Sequence, residues 1–235
     1  MASIVETNWR NFLSSDSGLP PDVFFVVKEP EEDATEKKGS GWRTFEAHKF
    51  LLAGTSPVFM ALFFGPMKET REVFKVKNTT PESFETMINY VYKAPGDTFS
   101  LNNVGCPQKL FELLELAERY EIWNLKTLTT DALENLSISR KNMIFTAAVA
   151  KNYKTVFEDL SMKLLVRCEE LLFDATSGGG DICGLVTETK EKFPEASLEI
   201  LNELIAVGNA SFEMQGVFIY KCMFICSENH WQQFL

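Results

Sequence analysis

Hydrophobic and polar residues follow the pattern of β-strands in three short segments of the N-terminal half of the chain. Residues 22–27 (DVFFVV) form a β-branched and aromatic run, which predicts a strand buried on both faces. Residues 43–47 and 72–77 alternate between apolar and polar side chains and predict two further strands. The charged, turn-rich residues 28–42 between the first two strands predict a long hairpin loop.

Two helix starts are marked by a hydroxyl residue followed by proline. Ser56 and Thr80 each fit the N-cap position, and the proline that follows can occupy N1, where its missing N–H costs nothing. Apolar residues recur at helical spacing after each cap. Gly65 fits the C-cap of the first of these helices, where glycine adopts a positive φ most easily. A short helix is predicted before it, over residues 48–53.

The rest of the chain is helical in pattern, because apolar residues recur at three- and four-residue spacing along most of it. From 212 to 226 the apolar density is too uniform to give a period, and a buried helix is favoured there. The sequence TSGGGD at 176–181 predicts a loop between helices. The predicted helices cover residues 107–120, 123–136, 141–151, 155–173, 197–207 and 212–226.

Charge and composition exclude several classes of partner. The formal net charge is -10, with 23 Lys and Arg against 33 Asp and Glu, which argues against nucleic acid and anionic membranes. No apolar run approaches the ~20 residues of a membrane helix, and the start of the chain does not have the pattern of a secretory signal. The five cysteines form no C-x-x-C pair, which favours reduced thiols.

Residues that could carry chemistry are sparse. A nucleophile needs a base, usually histidine, and the only two histidines are His48 and His230. Cys222 and Cys226 lie one helical turn apart, but core cysteines explain them better than a metal site does. The glycines at 178–180 lack the Lys-Ser/Thr ending of a phosphate-binding loop. No catalytic residue, metal or cofactor is therefore predicted, and the chain is not expected to be an enzyme.

Four motifs occur in an order that is typical of one family. They are Asp22-Val23, Phe45-x-Ala47-His48-Lys49-x-Leu51-Leu52-Ala53, Ser56-Pro57-x-Phe59-x-x-Leu62-Phe63 and Asn89-Tyr90-Val91-Tyr92. Together they resemble the BTB/POZ domain, over about residues 20–136. The resemblance implies an α+β fold, a small β-sheet flanked by helical hairpins, which usually dimerises. Residues 137–207 are similar to the helical BACK region that often follows this domain in ubiquitin-ligase adaptors.

The resemblance also implies how the chain is divided. Residues 1–21 become an N-terminal segment that can contact a second subunit, residues 22–136 the BTB/POZ domain, and residues 137–235 an all-α BACK-like region. No kelch repeat or other substrate-binding domain is recognisable beside them. The part that would bind a target is therefore not identified.

A cullin-binding loop is the most specific site that the resemblance implies. In adaptors of this family the loop after the third motif carries an apolar–x–glutamate sequence that enters a groove on a cullin, and Met67-Lys68-Glu69 matches it. Phe63 and Phe64 cannot face the same way on a helix, and Phe63 is assigned to this site. The alternative is that Met67 packs on its own core and Glu69 is ordinary surface.

A dimer interface is the second implied site. Asp22 and Lys49 match a charged pair that is buried between subunits, and an unpaired buried charge would be costly, so we expect these two residues to meet. Trp9 and Phe12 form an apolar cluster expected to pack on a second subunit, with the chain's own core as the alternative. His48 is expected to be a hydrogen-bonded structural histidine.

The function that follows is that of a dimeric protein-interaction module. Its most specific form is a substrate adaptor that brings an unknown protein target to a cullin-3 RING ubiquitin ligase, through the N-terminal region of cullin-3, in the cytoplasm or the nucleus. The alternative is a BTB scaffold that dimerises or recruits a transcription regulator without binding cullin.

Overall fold

The structure is a computed structural model of the chain, and it describes residues 19–28, 41–93, 98–101, 104–139 and 142–177. The helices predicted at 197–207 and 212–226 and the cluster of Trp9 and Phe12 lie outside these residues. The elements, in chain order, are β1 Val23–Lys28, β2 Trp42–Ala47, α1 Lys49–Thr55, α2 Pro57–Phe64, β3 Val73–Val76, α3 Pro81–Val91, α4 Pro107–Arg119, α5 Trp123–Glu134, α6 Met143–Tyr153 and α7 Glu158–Ser177.

The three strands form one mixed sheet in the order β2-β1-β3. β1 pairs with β2 in the antiparallel direction, so that Val23 lies opposite Ala47. β1 pairs with β3 in the parallel direction, with Phe24 opposite Val73. All three predicted strands are confirmed, and so is the α+β class, a small sheet combined with helices.

The core of the sheet lies on one face of β1. Val23, Phe25 and Val27 are buried, whereas Phe24 and Val26 on the opposite face are only half-buried. The prediction that β1 is buried on both faces is therefore wrong for the single chain. The neighbours of Phe24 and Val26 on the flanking strands are mostly polar and exposed, and they cover the outer face incompletely. On the inner face the Phe25 ring lies 5.9, 5.8 and 5.3 Å from the rings of Phe59, Phe74 and Phe84.

The predicted caps begin α2 and α3. The Ser56 hydroxyl oxygen accepts a hydrogen bond from the Phe59 N–H at 3.1 Å, and the Thr80 oxygen accepts one from the Ser83 N–H at 3.4 Å. Proline follows each cap within the first turn. The Ser56 hydroxyl also donates to the carbonyl oxygen of Tyr120, just beyond α4. The cap that starts α2 therefore also joins this helix to the end of α4.

The end of α4 is a Schellman motif built without glycine. The Glu121 N–H donates to the Glu118 carbonyl at 3.1 Å, and the Ile122 N–H donates to the Ala117 carbonyl at 2.8 Å. Glu121 has a φ of 51°, in the left-handed region that disfavours residues with a Cβ. The motif therefore forms at a conformational cost.

We expect Glu121→Gly to raise the free energy of unfolding by about 0.5–1 kcal/mol, because glycine relieves the left-handed strain and loses part of the gain to its larger unfolded-state entropy. Urea unfolding measures the change. Asn78→Gly is the matched control: Asn78 has a φ of 57°, but asparagine tolerates this region better. A loss of stability in Glu121→Gly would contradict the prediction.

The chain divides into two units, with the division between Ala132 and Leu133 in the last turn of α5. In the second unit α6 packs against α7. The Arg167 guanidinium on α7 donates to the carbonyls of Glu134 and Leu136 at 2.8 and 2.5 Å. α7 extends to Ser177, so the first two residues of the loop predicted at 176–181 belong to the helix, and the other four lie outside the described residues. The predicted domain limits at 22, 136 and 137 stay predictions.

Candidate functional site

Helix α2 carries an apolar surface that the described residues leave uncovered. Met60 and Phe64 lie four residues apart and are both exposed, Phe64 by 55%. Met67, just beyond the helix, is 94% exposed. Residues four apart share one face of a helix, and exposed large apolar groups that lie together can mark a site of protein interaction. We call Met60, Phe64 and Met67 the α2 stripe.

Phe63 does not belong to this surface. It is 4% exposed, its ring is parallel to that of Phe59 at 5.8 Å, and it meets the edge of Phe74 at 5.7 Å. This burial contradicts the placement of Phe63 in the partner site. A side chain that fills the core cannot also reach a partner's groove, and the exposed member of the pair is Phe64.

Gly65 ends α2, but not in the conformation expected of it. Its φ is −68° and its ψ is 172°, which is an extended conformation open to any residue, so the expected positive φ is wrong. Glycine is required here by space instead. A Cβ at this position would lie 2.4 Å from the carbonyl oxygen of Ala61, to which the Gly65 N–H donates.

The residues after α2 form a closed turn that presents Met67. The Lys68 N–H donates to the Gly65 carbonyl at 3.2 Å, with Pro66 and Met67 as the two central residues. The Glu69 N–H donates to the Leu62 carbonyl in the last turn of α2 at 2.8 Å. Both ends of the turn are thus attached to the helix, while the Met67 side chain points to solvent.

The carboxylate of Glu69 has a partner in its own chain. The Arg71 Nη2 lies 3.3 Å from the Glu69 Oε1, and the guanidinium lies 4.7 Å from the centre of the Phe74 ring. Lys68 and Glu69 are both exposed. Met67-Lys68-Glu69 therefore has an apolar side chain at its tip and an accessible acid, and its role as a docking loop stays a prediction.

The predicted dimer residues Asp22 and Lys49 meet through the backbone. The Asp22 Oδ1 accepts a hydrogen bond from the Lys49 N–H at 2.8 Å, at the start of α1. The Lys49 ammonium instead lies 5.9 Å from the centre of the Phe63 ring. Asp22 is exposed in the single chain. The expected pairing of the two charges is thus replaced by a charge-to-backbone hydrogen bond, and a role between subunits stays a prediction.

His48 is a structural histidine, as expected. Its Nε2 lies 2.8 Å from the Leu19 carbonyl oxygen, and its Nδ1 lies 2.7 Å from the Tyr92 hydroxyl. The Tyr92 oxygen also accepts the His48 backbone N–H at 2.8 Å. Burial raises the pKa of Tyr92 to about 12. Leu19, α1 and the end of α3 are thereby tied together.

Side chains suited to metal binding are not gathered in the part of the chain that the structure describes. No three His, Cys, Asp or Glu side chains are placed there to share an ion. Burial raises the pKa of the Cys168 thiol to about 12, which disfavours the reactive thiolate. Over the same residues, every helix is too short or too polar to cross a membrane.

Arg71 is the residue of this site that sequence reasoning missed. A signal for it exists: Glu69 and Arg71 are two residues apart just before a strand, and residues i and i+2 share one face of an extended chain. Phe74, whose ring Arg71 contacts, is also close to Arg71 in the sequence.

Comparison with known proteins agrees with this fold. Residues 14–137, more than half of the chain, match the BTB/POZ domain. The chain is 30% identical over 146 residues to TD and POZ domain-containing protein 1 of Mus musculus, covering 55% of this chain and 38% of that protein. It is 28% identical over 163 residues to BTB/POZ domain-containing protein 3 of Homo sapiens, covering 69% of this chain and 27% of that protein.

A third relative, BTB/POZ domain-containing protein 6 of Homo sapiens, is 29% identical over 163 residues, covering 69% of this chain and 26% of that protein. The chain thus spans less than two-fifths of the length of each of these relatives. The shared part is a protein-interaction domain and not an enzyme family. From the matched residues and the α+β fold it follows that this chain belongs to the BTB/POZ family.

Proposed function

We propose that this chain is a dimeric substrate adaptor of a cullin-3 RING ubiquitin ligase, and that the turn after α2 binds the N-terminal region of cullin-3. The observation that carries the proposal is the 94% exposure of Met67 at the tip of a closed turn, with Glu69 two residues further on. The Met67 side chain does not pack on its own core.

The chemistry of the turn suits a groove on a partner protein. Methionine is unbranched and flexible, so it can fill an irregular apolar pocket. Burying a fully exposed methionine is worth about 1.5–3 kcal/mol. The α2 stripe extends this apolar contact along the helix, and Glu69 can accept a charge-assisted hydrogen bond that fixes the register.

An adaptor of this kind acts by proximity and needs no active site. It raises the effective concentration of a bound target near the ligase. A dimer, with Asp22, Lys49, Trp9 and Phe12 at its interface, would present two such turns and add avidity. The target is an unidentified protein, and the cytoplasm or the nucleus is the compartment in which this would occur.

The test is a calorimetric titration of the purified chain with the N-terminal region of cullin-3. We expect micromolar or tighter binding by the wild type. The double variant Met67→Ala/Glu69→Ala should bind about 10- to 30-fold more weakly, because it removes the central anchor and the charged contact.

Val156→Ala is the matched control, since Val156 is an exposed apolar residue outside the α2 stripe. It should bind like the wild type, and light scattering should give all three proteins the same mass. Absence of binding by the wild type, with the dimer retained, would favour the alternative of a scaffold or a recruiter of transcription regulators.

A further inference from the structure

We propose that Arg71 is a positioning residue that holds the Glu69 carboxylate in its binding orientation before the partner arrives. The expected effect of Arg71 on binding affinity rests on the proposed function of the turn. The expected effect of Arg71 on the Glu69 side chain rests only on the contacts of Arg71. Neither the predicted motif nor the family match assigns a role to this arginine.

Arg71 is exposed, but the position of its guanidinium is restricted. It lies 4.7 Å from the centre of the Phe74 ring, which faces the core from β3. Phe74 is fixed in turn by the rings of Phe25 and Phe63, at 5.8 and 5.7 Å. A planar guanidinium over an aromatic face gains a cation–π attraction of about 0.5–1 kcal/mol at an exposed site. The arginine therefore offers Glu69 a partner whose own position is restricted by the core.

Glu69 is held at two points as a result. Its backbone N–H is bonded to the Leu62 carbonyl, and its Oε1 lies 3.3 Å from the Arg71 Nη2. A free glutamate side chain is among those with the most rotamer freedom, and a partner that uses it must order it first. Restricting those rotamers in the unbound chain removes part of that cost, which is how preorganisation increases affinity.

The same contact could instead mask the acid, but its geometry favours positioning. The ion pair uses one carboxylate oxygen, Oε1, and leaves the Glu69 side chain 44% exposed. A donor from a partner can therefore approach the carboxylate without displacing Arg71. The guanidinium also keeps the carboxylate beside the sheet and the Met67 turn, where a single partner groove can contact both.

The first experiment needs no partner. NMR relaxation of a ¹³C-labelled Glu69 side chain is measured in the wild type, Arg71→Ala and Arg71→Lys. We expect the order parameter to fall in Arg71→Ala. It should fall partly in Arg71→Lys, which keeps the charge but lacks the planar group that lies over Phe74. An unchanged order parameter in Arg71→Ala would overturn the proposal, and full order in Arg71→Lys would overturn the role of the Phe74 ring.

The second experiment is a double-mutant cycle against the N-terminal region of cullin-3. We expect Arg71→Ala to weaken binding by about two- to five-fold, the range for an exposed ion pair, and to have no effect in a Glu69→Gln background. Tighter binding by Arg71→Ala would mean that Arg71 masks the acid. An equal loss in both backgrounds would mean that Arg71 touches the partner directly. If the wild type does not bind while the NMR result holds, the proposed function fails and the positioning role stands.

Discussion

Replacement of Glu112 by alanine is expected to lower the free energy of unfolding by about 2–4 kcal/mol, although glutamate in a helix is usually a surface residue. Glu112 lies on α4 and is 7% exposed. Its Oε2 accepts hydrogen bonds from the Thr80 hydroxyl at 2.6 Å and the Ser83 hydroxyl at 2.9 Å. The Thr80 N–H donates to the same oxygen at 3.3 Å, and the Gln108 amide donates to Oε1 at 3.0 Å.

The expected loss of stability is large because the carboxylate accepts hydrogen bonds at the N-terminus of α3 and also connects several polar side chains in one hydrogen-bond network. It lies at the N-terminus of α3, where a negative charge is favoured by the exposed N–H groups and the helix dipole. In Glu112→Ala the buried Ser83 hydroxyl and the part-buried donors of Thr80 and Gln108 lose this acceptor. A buried donor left unsatisfied costs about 1–3 kcal/mol, and a part-buried one costs less because water can reach it.

Urea unfolding followed by circular dichroism measures this loss. Glu115→Ala is the control on the same helix: Glu115 is half-buried and pairs with Arg119 at 3.0 Å, so removing it should cost at most about 1 kcal/mol. Glu112→Gln should lie between the two, because its amide keeps one acceptor and turns an N–H₂ group toward the other donors. Equal losses in Glu112→Ala and Glu115→Ala would show that the network is not stabilising.

The features that the sequence predicted well depend on residues that are close together in the chain. The strands follow from alternation, and the starts of α2 and α3 follow from a hydroxyl residue before proline, because each of these signals acts within four residues. Glu112 could not be found this way, since its hydrogen-bond partners Thr80 and Ser83 lie 32 and 29 residues away and meet it only in the fold. The same holds for the outer face of β1, whose covering depends on its neighbouring strands.

The candidate site divides along the same line. The exposed turn at Met67 was predictable, because Gly65-Pro66 must end the helix and an apolar residue follows. The choice between Phe63 and Phe64 was not predictable, because every position of α2 is apolar and the helical spacing of apolar residues therefore does not single out one face. Packing decides it: Phe63 fits between Phe59 and Phe74, and Phe64 is left to solvent.

Gly65→Ala should change the position of Met67 while leaving its side chain unaltered. The new Cβ would lie 2.4 Å from the Ala61 carbonyl oxygen, a backbone atom that cannot turn aside as a flexible side chain can. The last turn of α2 or the turn after it must therefore shift, at a cost of about 1–3 kcal/mol in stability. Met67 and Glu69 keep their identity but lose their fixed position. We expect binding to the N-terminal region of cullin-3 to weaken at least about tenfold, because a displaced Met67 would no longer fill its pocket on the partner.

Gly54→Ala is the matched control for this change. Gly54 lies within α1, and a Cβ there meets nothing within 4 Å, so alanine should add up to about 1 kcal/mol of stability through its helix propensity. Its binding should equal that of the wild type. Calorimetry on both variants measures the effect of the turn on binding. Equal affinity of Gly65→Ala and Gly54→Ala for cullin-3 would contradict the prediction, because it would mean that the partner binds Met67 without needing a fixed turn. A loss confined to Gly65→Ala means that the glycine holds the methionine in place for its groove.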